Sequence, residues 1–147
     1  MTEDFTSLQI AEPVMKAIES MGWTEPTPVQ VGTIPLLLQG QDVIAQAQTG
    51  TGKTAAFGIP IIQGIEPGRL PSALILCPTR ELAVQVSEEI KRLSANLDLQ
   101  VLAVYGGAGM EPQFEALHRG VDVVVGTPGR VIDHIQRKTL DLKNVRY

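Results

Sequence analysis

Cysteine occurs once in the 147 residues, as Cys77, so no disulfide can close within the chain. One thiol, with His118 and His134 far from each other, also gives no recognisable zinc-ligand spacing. No apolar run approaches the roughly 18 residues of a membrane-spanning helix. The opening Met1-Thr2-Glu3-Asp4 is acidic where a secretory signal is basic, so the expected location is the cytoplasm. Positive charge is in deficit: 12 Lys and Arg face 16 Asp and Glu, a formal net charge of −4. That excludes a protein that holds nucleic acid by bulk positive charge. Repeats and low-complexity tracts are also lacking.

What is present fits one globular domain. With 44% of its 147 residues hydrophobic, the chain can bury a real core but has no room for two ordinary domains. Any function that needs a second lobe must borrow it. Charge is distributed unevenly, with a net −4 over residues 1–25 and +3 over residues 119–147, and solvated helix faces account for most of it.

Four short apolar runs organise the rest: Asp42 to Ala47, Ala73 to Cys77, Val101 to Tyr105 and Val121 to Val125. They are continuous rather than alternating, as in parallel strands covered on both faces. Between them lie stretches of helical period, such as Leu82, Val86, Ile90 and Leu93, or Phe114 and Leu117. Two further helices are expected ahead of the first run, one carrying Val14, Ile18 and Met21 and ending at Gly22, the other following Pro28 with Val29, Ile34 and Leu37. This alternation specifies an α/β fold with a mainly parallel, doubly wound sheet and helices on both faces. Parallel strands put their C-terminal ends on one edge, where ligands bind. Each of the four runs is followed there by an unusual polar or glycine-rich segment.

The first of these segments, Ala47-Gln48-Thr49-Gly50-Thr51-Gly52-Lys53-Thr54, has the form of a phosphate loop, with alanine where the common form begins with glycine. Glycines let successive backbone N–H groups converge on phosphate, and the following helix adds its N-terminal dipole. Lys53 is placed to reach the β and γ phosphates and the Thr54 hydroxyl to hold Mg²⁺. The competing account is a glycine-rich strand-to-helix turn with an exposed lysine.

Taken with the other segments, this loop resembles that of the DEAD-box family of ATP-dependent RNA helicases, and specifically the first of that family's two RecA-like domains. The resemblance covers nearly the whole chain. Residues Gly22 to Gln30 are similar to the family's Q motif, with Phe5 at its upstream aromatic position. The resemblance implies that Gln30 pairs with the adenine edge and Phe5 stacks on the ring. An amide suits this, with one donor side and one acceptor side. From the residues alone, Phe5 is a core or staple residue and Gln30 a solvated helix residue. Pro78-Thr79-Arg80 opens a segment similar to motif Ia, Gly106-Gly107 is similar to the GG motif, and Thr127-Pro128-Gly129-Arg130 to motif Ib. These imply contacts to one RNA strand's backbone, which carry no base sequence and do not need bulk positive charge. Taken singly, Thr79 and Thr127 are also helix caps, Arg80 an ion-pair partner of Glu81 or a nearby acid, and Gly106-Gly107 a turn. Cys77 is a buried strand residue. His118 and His134 are helix-surface or helix-end residues with no catalytic work.

ATP hydrolysis also needs a carboxylate on Mg²⁺ and a group that positions water. The family's Asp-Glu-Ala-Asp and Ser-Ala-Thr signatures are absent, as is its second RecA-like domain. The expected organisation is therefore a Q-motif region over 1–38 and a RecA-like ATP-binding domain over 39–147 that is incomplete at its C-terminus, a fragment unable to hydrolyse ATP alone. A self-contained, non-catalytic nucleotide or RNA binding module is the alternative. A small-molecule kinase accounts for Lys53 and Thr54 but leaves Gln30, Arg80 and the segment at 127–130 unexplained.

Overall fold

Proline and glycine divide the first 64 residues into helices. In the computed structural model, which describes residues 4–147 and leaves Met1, Thr2 and Glu3 outside the described residues, a 3-10 turn spans Phe5–Leu8 and α1 spans Glu12–Ser20. Helix α1 buries Val14, Ala17 and Ile18 on one face. It ends as expected at Gly22 (φ +77°), where Gly22 N–H bonds Glu19 C=O at 3.0 Å and Trp23 N–H bonds Ile18 C=O at 3.2 Å. That pair of bonds satisfies carbonyls left free at a helix end, and the left-handed backbone it requires favours glycine. Helix α2 spans Pro28–Leu38 and starts at a capping box between Thr27 and Gln30, with Pro28 in its first turn. Helix α3 spans Lys53–Gly64 and buries Ala55, Ala56, Ile59 and Ile62.

The chain forms two compact units, Met1–Gly64 with Arg92–Asp98, and Ile65–Lys91 with Leu99–Tyr147. In the first, the Gln63 side chain accepts from Ala11 N–H at 2.9 Å and donates to Gln9 C=O at 3.0 Å, tying the end of α3 to the entry of α1. The apolar run at 42–47, expected as a strand, is not one: it has no regular secondary structure and no ladder, and Ile44 is fully exposed. Continuous hydrophobicity calls for burial but does not itself supply a partner, and no strand among the described residues pairs with this run.

The second unit carries three parallel strands, β1 (Ala73–Leu76), β2 (Val101–Val104) and β3 (Val123–Gly126), in the order β1-β3-β2. Ala73 and Val101 both pair with Val123. Because β3 is central, all four of its residues are buried. Helix α4 (Arg80–Leu93) connects β1 to β2, α5 (Met110–Arg119) connects β2 to β3, and α6 (Pro128–Gln136) follows β3. Val104, Val121, Val124, Val131 and Leu140 form a core to which Leu74, Leu102, Leu117 and Leu142 add partly buried surface. At the end of β3 the chain turns back so closely that a Cβ on Gly126 would lie 2.5 Å from Val131 Cγ2 and 2.9 Å from Val104 O.

At the opposite edge of this sheet, fully buried Asp122 accepts from Gly68 N–H (3.0 Å), Arg69 N–H (2.9 Å), Gln100 N–H (2.8 Å) and the Arg69 guanidinium (2.9 Å). One carboxylate thereby clamps the loop before β1 and the entry to β2 onto β3.

Candidate functional site

The glycine-rich loop meets α3 at Lys53, its first residue. Gly50 (φ +82°) and Gly52 (φ +80°) occupy the left-handed region, as a loop that turns its N–H groups inward requires. The Thr51 hydroxyl donates to Gln48 C=O and holds the loop's curvature. Ala47 and Thr54 are half-buried, while Gln48, Thr49, Gly50 and the Lys53 side chain face solvent. Lys53 is thus free to meet an anion at a helix N-terminus.

Gln30 lies against this loop. Its side-chain oxygen accepts from Thr27 N–H at 3.0 Å, its own N–H donates to Thr27 Oγ1 at 3.4 Å, and its Nε2 donates to Gly52 C=O at 3.2 Å. At 2% exposure it is a buried amide and not the solvated helix residue that its position alone suggests. The close approach also explains the glycine opposite: a Cβ on Gly52 would sit 2.3 Å from Gln30 Nε2. Phe5 is 2% exposed in the 3-10 turn, a core position, and α2, which carries Gln30, packs on that turn.

In the second unit, three of the four segments fall on one edge, after the C-terminal ends of adjacent parallel strands: Pro78-Thr79-Arg80 after β1, Gly106-Gly107 after β2, and Thr127 to Arg130 after β3. The first segment does not follow a strand, because 42–47 forms none. Thr79 caps α4, its Oγ1 accepting from Leu82 N–H at 3.2 Å. Thr127 makes no side-chain capping bond to α6. The Arg80 guanidinium lies over the Tyr105 ring, 5.2 Å from its centroid, a cation–π contact in place of the ion pair that is the alternative to an RNA contact. Gly107 turns with φ +82° beside it. Arg130 Nη1 donates to Ala108 C=O at 3.3 Å and to Gln113 Oε1 at 3.2 Å.

Behind this edge is a buried polar chain. Gln113 Nε2 donates to Tyr105 C=O at 3.2 Å, and Gln113 Oε1 meets His134 Nε2 at 2.8 Å. His134 Nδ1 meets Thr139 Oγ1 at 2.9 Å, and the ring packs edge-on to Phe114 at 5.5 Å. His134 is fully buried, which corrects its assignment as a surface or helix-end residue. Burial lowers its pKa from the ordinary histidine value, the Arg130 charge adds to that, and Asp133 opposes it. Sequence reasoning missed Gln113, His134, Tyr105 and Asp122. The spacing of His134 three residues after buried Val131 puts both on one helical face, a signal that was legible. Gln113 has no comparable local signal.

No helix among the described residues is long and apolar enough to cross a membrane. The sequence model of the DEAD/DEAH box helicase family matches residues 27–147. The chain belongs to that family. It is 55% identical, over 142 residues, to the DEAD-box ATP-dependent RNA helicase CshA of Geobacillus kaustophilus, the match covering 96% of this chain and 30% of that protein. Among solved structures, a DEAD box protein from the hyperthermophile Methanococcus jannaschii matches with a TM-score of 0.93 and 46% identity, covering 98% of this chain and 40% of that one. The chain therefore spans less than half the length of each of these relatives. Its three-stranded parallel sheet with connecting helices is a DEAD-box, RecA-like arrangement.

Proposed function

We propose that the chain is the nucleotide-binding and RNA-backbone-binding part of a cytoplasmic ATP-dependent RNA helicase, with a Q-motif region over 1–38 and a RecA-like ATP-binding region over 39–147. The observation that carries this reading is buried Gln30 bonded to Gly52 of the glycine-rich loop, which joins the two segments an adenine nucleotide would touch. The backbone N–H groups of residues 48–52 and Lys53 bind the β and γ phosphates. Thr54, half-buried in the first turn of α3, offers the hydroxyl that would hold Mg²⁺, an ion that would neutralise phosphate charge there. Gln30 selects adenine by exchanging its bonds to Thr27 and Gly52 for the base edge. Stacking by Phe5 uses ring surface that is now covered, so nucleotide arrival must uncover it.

RNA is held in the second unit, at the C-terminal edge of its sheet, by Thr79, Arg80, Gly106, Gly107, Thr127 and Arg130, with Pro78, Pro128 and Gly129 shaping the turns. Arg80 and Arg130 supply charge, and the uncapped α6 N-terminus supplies N–H groups. The grip is tolerant of base sequence. Sequence outside these residues supplies the carboxylate for Mg²⁺ and the second RecA-like lobe that completes the clamp, so the 147 residues alone bind adenine nucleotide weakly and do not turn over ATP.

The test is titration of the chain with labelled ADP and GDP, each with Mg²⁺, beside Lys53→Ala and Gln30→Ala. ADP binding that falls about tenfold in Lys53→Ala, and discrimination against GDP that disappears in Gln30→Ala, support the reading. Equal affinity in wild type and Lys53→Ala would overturn the phosphate-loop assignment. ATP turnover by the 147 residues that vanishes in Lys53→Ala would refute their inactivity.

A further inference from the structure

The three RNA-facing turns are distant in sequence, yet one side chain reaches into the supports of all of them. Gln113 donates to the carbonyl of Tyr105, whose ring carries Arg80, and accepts from Arg130, which also holds the turn at Ala108. A guanidinium can only donate, so the atom of Gln113 facing Arg130 must be its oxygen. The other end of the amide is then the donor to Tyr105, and the same oxygen must accept from His134. His134 therefore carries a proton on Nε2, while the single Thr139 hydroxyl proton is shared between His134 Nδ1 at 2.9 Å and the His134 carbonyl at 3.0 Å. The orientation of the Gln113 amide and the proton on His134 Nε2 follow from Arg130 through hydrogen-bonding capacity alone.

We propose that Gln113 is a positioning residue that fixes Arg80, the Gly106-Gly107 turn and Arg130 in one rigid arrangement, with His134 locking its amide in the required orientation. The proposal deepens the RNA-backbone reading and rests on it. Packing alone does not account for Gln113. It is 6% exposed beside an apolar core, where a leucine of similar size would avoid the cost of burying an amide. Of its partners, Tyr105 and Arg130 belong to the turns and supports that face RNA, and His134 braces it from behind. A side chain held by donors and acceptors at both ends has one orientation, and pre-ordering the groups it holds lowers the ordering cost of binding.

The test uses the full-length helicase and reads RNA-stimulated ATP turnover against RNA concentration. Gln113→Leu should raise the RNA concentration for half-maximal stimulation about tenfold, the scale of a lost hydrogen bond to a charged group, while turnover at saturating RNA falls less than about twofold. His134→Gln, which keeps an N–H near the position of Nε2, should stay close to wild type, and His134→Leu should follow Gln113→Leu. Arg130→Ala separates the two levels of the argument. If it leaves the RNA half-saturation unchanged, the RNA-edge reading itself fails. If Arg130→Ala weakens RNA binding but folded Gln113→Leu does not, only the positioning role fails. A parallel fall of saturated turnover and RNA affinity in Gln113→Leu would show a merely structural residue and also overturn it. Should Gln113→Leu not fold, the His134 pair decides: equal RNA half-saturation in His134→Leu and His134→Gln refutes the proposal.

Discussion

Asp122 has the densest set of bonds of any acid in the second unit, although its place in the sequence suggests only one charge among many. Removing the carboxylate orphans three backbone N–H groups and removes the ion pair to the Arg69 guanidinium, which is 37% exposed. Asp122→Ala should therefore cost roughly 3 kcal/mol, near the lower end for breaking a buried pair because Arg69 keeps some water. Urea unfolding checks this, and a loss below about 1 kcal/mol, the scale of one ordinary hydrogen bond, would refute the clamp. Burial alone would raise the Asp122 pKa, but bonds from Gln100, Gly68 and Arg69 outweigh it and hold the carboxyl below its ordinary value. A depressed carboxylate contributes stability above its unfolded pKa of about 3.9 and loses it as pH falls towards the folded value. Wild type should thus lose melting temperature below about pH 4, and Asp122→Asn should lose less over the same range.

Elements were legible where one local pattern decided them. The runs at 73–77, 101–105 and 121–125 became β1, β2 and β3 because each finds a parallel neighbour. Helix α4 buries Val86, Ile90 and Leu93 as its period implies, although Leu82 is 39% exposed. The run at 42–47 carries the same apolar signal and forms no strand, since pairing is a property of two segments and is not written in either. The phosphate-type loop was readable for the same local reason, as its glycines need a left-handed backbone. The Gln113 network was not, because it joins α5, α6 and the turn after β2. Junctions between elements are equally demanding. Gly126→Ala would press a methyl against Val131, Val104 and the Val104 carbonyl, and should cost about 2 kcal/mol as overpacking. Pairing it with Val131→Ala should recover part of that loss in thermal melts. An unchanged melting temperature in the single variant would show that α6 moves away without cost.

At the scale of the molecule, two apolar features lack cover in this chain. The irregular run at 42–47 has no ladder partner, with Ile44 fully exposed, and β1 presents Leu76 at 55% exposure. Backbone hydrogen bonds already reach β1 from the segment at 146–147: Arg146 N–H donates to Ser72 C=O at 2.8 Å, and Leu74 N–H donates to Tyr147 C=O at 3.0 Å. Those bonds already occupy this edge at Ser72 and Leu74, so the run at 42–47, which has no ladder, is the segment open to a further strand. An unpaired apolar segment is a template for pairing with a second copy, and charge placed on it is the usual protection. The 147 residues alone should therefore associate with themselves as concentration rises, by an interaction that high salt does not weaken, because it is apolar and backbone-mediated. Ile44→Lys should shift this association to about tenfold higher concentration, and adding Leu76→Lys should shift it further. Sedimentation at several concentrations measures both. If wild type stays monomeric throughout, the exposed run is tolerated by solvent. If association persists unchanged in the double variant, it uses another surface.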